Sequence, residues 1–146
     1  MNVEIVPAQL EHAMDLVANL RDRERQSYEV FTKDSIEHAV AQYVARSFHS
    51  YAGIIDGRIV AIWGAETAST FSDSCWLWMI CGESIDYYPI TFIRHSKDGI
   101  ELLKSCFRRI EGVVFNDFDQ SKKWLKWLGF KIIESNEQIC RFEWNR

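Results

Sequence analysis

Seven consecutive apolar residues, Cys75 to Cys81 (CWLWMIC), constrain this chain more than any other segment. The run is short for a helix and reads as a strand. It lies between the polar, turn-like stretch Thr67 to Ser74 and the loop that begins at Gly82. A strand presents side chains alternately to the two faces of its sheet, so one that is apolar throughout must be covered on both. That demands a layered domain with helices on either side of a sheet. The length of 146 residues suits one such domain, spanning 1–146, and the 47% hydrophobic and 14% aromatic content can fill its core without a disulfide or a metal.

The segments on either side supply the rest of the layers. Asn2 to Pro7 alternates polar and apolar residues, with Val3 and Ile5 on one side, and reads as a strand stopped by its proline. Leu10, Ala13, Met14, Val17 and Leu20 recur at helical spacing, and this helix is expected to fade into the charged run Arg21 to Arg25 as a solvated end. A second helix is expected from a capping box of Asp34 and Glu37 to about Phe48, with Ile36, Ala39, Val40, Tyr43 and Val44 as its buried stripe and His49 at its end. Asp56-Gly57 divides the runs Ser50 to Ile55 and Arg58 to Ala65 and predicts a hairpin. Beyond the loop Gly82 to Tyr88, Pro89 opens a long helix with the stripe Ile90, Ile93, Ile100, Leu103 and Phe107. A short strand within Ile110 to Asn116 precedes a helix capped by Asp117 or Asp119, with Trp124, Leu125 and Leu128 as its apolar positions. Gly129 stands where a left-handed terminator belongs. Phe130 to Ile133 and Ile139 to Trp144 are the last strands, joined by the polar turn Glu134 to Gln138. The order is β-α-α-β-β-β-α-β-α-β-β, a mixed α/β (α+β) domain with about seven largely antiparallel strands, four helices and at least one βαβ crossover.

Several function classes are disfavoured. The net charge of −4 and the lack of an Arg/Lys stripe argue against nucleic-acid binding, and the tryptophans read as core. Cys75, Cys81, Cys106 and Cys140 form no metal-binding spacing and read as reduced, mostly buried thiols. No metal site is expected. There is neither an apolar leader nor a run long enough to span a membrane.

This order, together with Trp124 to Phe130 (WLKWLGF), in which a helix ends in Leu-Gly-Phe and runs directly into a strand, resembles the GNAT superfamily of acyl-CoA N-acyltransferases. Trp76-Leu77-Trp78, Thr91 to Ser96 (TFIRHS) and Trp124 to Phe130 resemble a divergent branch of that superfamily, the internal virion or head-assembly proteins of short-tailed bacteriophages.

The superfamily resemblance implies acetyl-CoA held beside the fourth strand, by Met79, Ile80, Cys81 and Gly82, with its diphosphate on the next helix. It also implies a glycine-rich loop that this chain lacks. The loop here has one glycine and carries Glu83 and Asp86, while Arg94, a further candidate to bind the cofactor, and His95 could supply positive charge but lie within the helix. The usual tyrosine acid is replaced by Leu125, and Phe118 stands where an asparagine is common. Glu66, Glu83 and His95 are the remaining candidates for proton transfer.

Two expectations follow. One is a phage particle-assembly or internal virion protein with lost or altered chemistry, found in the host cytoplasm or virion and partnered by phage or host proteins, with an open strand edge offering a homodimer contact. The other is an acyl-CoA-dependent N-acetyltransferase with a non-standard cofactor loop, acting on a host amine.

Overall fold

A computed structural model describes residues 1–31, 33–69, 71–134 and 136–146. Its elements are β1 (Val3–Pro7), α1 (Leu10–Ala18), α2 (Asp22–Phe31), α3 (Ile36–Arg46), β2 (Ser47–Ile55), β3 (Arg58–Glu66), β4 (Ser74–Cys81), α4 (Pro89–Cys106), β5 (Arg109–Phe115), α5 (Asp119–Trp127), β6 (Lys131–Glu134) and β7 (Ile139–Asn145). A 3-10 turn, Glu83–Tyr87, joins β4 to α4. The strands form one sheet in the order β1-β2-β3-β4-β5-β7-β6. All neighbours are antiparallel except β4 and β5, which are parallel and linked by the α4 crossover.

The local chemistry of several elements follows the sequence. Asp56 (φ 50°) and Gly57 (φ 79°) take the positive φ that a tight hairpin needs. Gly129 (φ 99°) ends the helical segment after α5, and the Phe130 N–H donates back to the Leu125 carbonyl. β4 is covered on both faces. Trp78 and Ile80 pack against Leu16, Val17 and Val40 of α1 and α3. Cys75 and Leu77 pack on the other side against Ile100, Leu103 and Leu125 of α4 and α5. Each such side chain contributes roughly 1.5–3 kcal/mol when fully buried.

The structure also corrects the sequence reading. The described residues form five helices, because Asp22 to Arg25 open a helix of their own, with Arg21 just ahead of it, instead of being a solvated end. The chain breaks after Asn19, and Leu20 bridges to Gly82. Glu24 is thereby turned inward and is only 7% exposed. Ser35, not Asp34, caps α3 by accepting the His38 N–H at 3.2 Å, and the helix stops at Arg46. His49 lies in β2, beside a register shift, and not at a helix end. Neither Asp117 nor Asp119 caps α5; Phe118 holds that position, with no side-chain bond. Ile90 and Ile93 are exposed where helical spacing placed core; Ile93 stands at the rim of a cavity and Ile90 outside it. Trp127 is also exposed, at 55%. Thr70 and Ser135, in two of the expected turns, lie outside the described residues.

Candidate active site

β4 and β5 pair over only three residues, Ser74↔Arg109, Cys75↔Ile110 and Trp76↔Glu111, and then part. Gly112 marks the parting point. A Cβ there would meet the Leu77 carbonyl oxygen at 2.7 Å and the Phe142 ring, so only glycine lets β5 pass. Beyond it the β5-facing edge of β4 is open. Cys81 sends its backbone N–H out of the sheet, to Glu24, while Gly82 donates to Val60 of β3. Backbone groups alternate along a strand, so the Leu77 carbonyl and the Met79 peptide groups also turn to the open edge, whereas Trp78 and Ile80 turn theirs to β3.

A cavity of about 1050 Å³ passes through this gap and reaches both faces of the sheet. On the α4–α5 side its walls include Phe92, His95, Lys123 and Trp127. On the α2–α3 side they include Glu24, Ser27, Tyr28, Tyr43 and Trp78. Tyr43 stacks on Trp78 at 5.3 Å, and the Trp78 indole N–H donates to the Ser47 hydroxyl at 2.7 Å. Arg23 of α2 lies 3.9 Å from the Phe118 ring and donates to the Asp117 carbonyl, so α2 and the β5–α5 connection meet across the gap.

Glu24 is the chemically distinctive group. Burial pushes its carboxyl above the usual range, opposed by Arg21 and the Cys81 N–H, which favour the charged form. Arg21 bonds Glu24 at 2.5 Å and Asp86 at 3.0 Å. Burial also holds the Tyr28 phenol protonated, and it raises the Cys81 thiol, which therefore stays a thiol and not a nucleophile. Cys75 is pushed up to about 12 by burial.

The residues singled out from the sequence fall in separate places. Met79 and Cys81 line the cavity, while the Ile80 side chain is buried among α1 and α3. Gly82 is no phosphate cradle, since a Cβ there would meet Leu16 at 3.0 Å. His95 lines the cavity, and Arg94 is exposed beside it on α4. Glu83 opens the 3-10 turn at the surface, and its N–H donates to Asn19. Glu66 ends β3 opposite Trp76, five residues along β4 from Cys81, so it stands at the closed end of the gap. Glu24 had no sequence signal beyond its charge. Among the described residues no cluster of His, Cys, Asp and Glu could hold a metal, and no helix is long and apolar enough to cross a membrane.

A sheet that splits between parallel β4 and β5, with the crossover helix on one face and α1–α3 on the other, is the fold of the GNAT-family N-acetyltransferases. The particular neighbours are distant in sequence. An N-acetyltransferase from Staphylococcus aureus Mu50 matches with a TM-score of 0.72 at 12% identity, over 99% of both chains. PaiA N-acetyltransferase from Thermoplasma acidophilum, solved with coenzyme A, matches at 0.69 and 12% over 100% of both. A GNAT-family acetyltransferase from Streptococcus pneumoniae matches at 0.68 and 16% over 99% of both. No protein-family model and no curated protein matches the sequence. These neighbours establish the fold and lend the virion resemblance no support.

Proposed function

We propose that this protein is an acyl-CoA-dependent N-acyltransferase that takes its amine from the α2–α3 side. The observation that carries this is the buried Glu24 carboxylate facing a cavity that runs through the open β4 edge. The residues present suit an acyl-CoA arm. The slot is mostly apolar, and the Met79 peptide groups and the Leu77 carbonyl are turned toward it, ready to bond a chain with amides of its own. When bound, the thioester supplies an electrophilic carbonyl carbon. The protein's part is to deliver a neutral amine to it. An ammonium entering past Tyr28 and Tyr43 meets the Glu24 carboxylate, which takes its proton directly or through a water. The C–N bond then forms as the C–S bond breaks, and the coenzyme leaves as a thiolate that takes up the proton the nitrogen loses on becoming an amide. The raised carboxyl strengthens Glu24 as a base, and Arg21 keeps it oriented. The Met79 peptide N–H faces the gap and is placed to donate to the carbonyl oxygen as negative charge develops there.

Thermal unfolding with and without acetyl-CoA tests the reading. A ligand at 100 times its Kd stabilises by about 2.7 kcal/mol, a clear rise in midpoint. No rise at millimolar acetyl-CoA would overturn the proposal. The particle-assembly role implied by the phage resemblance would then be examined by mass spectrometry of purified virions.

A further inference from the structure

We propose that the phosphates of the acyl carrier are held in the groove between α4 and α5, by Lys123 and His95, instead of at the turn after β4. This rests on the acyl-CoA reading above. The turn after β4 is ill suited to the task. Gly82 is packed against Leu16, Pro89 has no N–H to offer at the start of α4, and the Glu83 carboxylate is exposed there. Asp86 is engaged by Arg21 at 3.0 Å.

The α4–α5 groove has the opposite character. Its width is set by two contacts: the Trp124 indole N–H donates to the Ser96 hydroxyl at 2.9 Å, and the Phe92 and Trp124 rings lie 5.2 Å apart. His95 and Lys123 are the chain neighbours of that bonded pair, one on each helix, and both line the cavity. Gln120, Lys123 and Trp127 recur at three- and four-residue intervals, so they share one face of α5. Lys122 reaches Asp119 at 4.0 Å, but Lys123 has no carboxylate partner among the described residues. The carboxylates that line the cavity, Glu24 and Asp86, both bond Arg21 on the far side of the gap. Among the cavity-lining residues this mouth therefore offers an ammonium and an imidazole donor with no carboxylate beside them, next to the exposed indole of Trp127 as a flat surface for a purine. Arg94, next to His95 and exposed, adds charge at the rim. The Arg-His-Ser run of α4 thus has a purpose: Ser96 sets the groove and His95 lines it.

Titration calorimetry on the whole chain separates this from the broader reading. The probes are coenzyme A and S-acetyl-pantetheine, which shares the arm but has no phosphates. The expected result is that wild type prefers coenzyme A by roughly ten- to a hundredfold, the range of one or two charge-assisted hydrogen bonds. Lys123→Ala and the Lys123→Ala/His95→Ala pair should lose most of that preference and keep their affinity for S-acetyl-pantetheine. The preference should also shrink with added salt. Variants that retain the full preference would overturn the phosphate site and leave the acyltransferase reading standing. Wild type that binds neither probe would overturn both.

Discussion

The Glu24 carboxylate accepts the backbone N–H of Cys81, tying α2 to the last residue of β4 on the strand's unpaired edge. One side chain thus closes the top of the gap and faces the space where an amine would enter. Glu24→Gln keeps the shape and removes the base. It is expected to lower kcat/KM for transfer from acetyl-CoA to a primary amine by about 10²- to 10⁴-fold, with the affinity for acetyl-CoA little changed. Continuous detection of released thiol measures the first quantity and calorimetry the second.

The same carboxyl makes stability depend on pH. Burial is its largest influence and raises it above the ordinary value of 4.5. The folded state then holds the proton more tightly than the unfolded chain does. The resulting stabilisation is complete below about 4.5 and is lost as pH rises through the folded value. Glu24→Gln does not titrate. Its unfolding midpoint relative to wild type should therefore climb as pH is raised from 4 toward 8. A difference that stays flat across that range would show that the carboxyl is not raised.

Gly112→Ala should destabilise by about 1–3 kcal/mol in urea unfolding, the usual cost of overpacking. Shrinking Phe142 to Leu in the same chain should recover only part of it. The other obstacle is the Leu77 carbonyl, which is backbone and cannot retreat.

Ser96→Ala leaves the half-buried Trp124 N–H without its acceptor. A loss of about 1–3 kcal/mol is expected from the stranded donor. Trp124→Phe removes the donor instead, leaving the Ser96 hydroxyl its bond to the Ile93 carbonyl, but also removes part of a ring packed on Phe92. Comparison of the two by urea titration separates the hydrogen bond from the packing.

Much of the fold was legible because it is written in local chemistry. Asp56-Gly57, Gly129 and the apolar run of β4 each report a conformation or a burial that depends on few neighbours. The site was less legible for a physical reason. Side-chain alternation shows which faces of β4 are covered but not whether its edge is hydrogen-bonded, so the gap beside Leu77, Met79 and Cys81 left no mark in the sequence. Helical spacing placed Ile90 and Ile93 on one stripe with Ile100 and Leu103, but periodicity does not tell how far along a helix its apolar face is covered, and only the later turns of α4 meet the core. The charges from Arg21 to Arg25 alternate in sign as on a solvated helix. Only Glu24 among them is buried, and what receives it and Arg21, Cys81 and Asp86, comes from distant parts of the chain.

The three-rung contact between β4 and β5 divides the sheet into two panels, one of four strands and one of three, joined along a single short seam. A bound molecule with peptide-like groups would lie against both panels at once and serve as the missing stretch of seam. Occupancy and mechanical closure are then the same event, and amide exchange at Met79 is where a latched sheet would differ from an unlatched one.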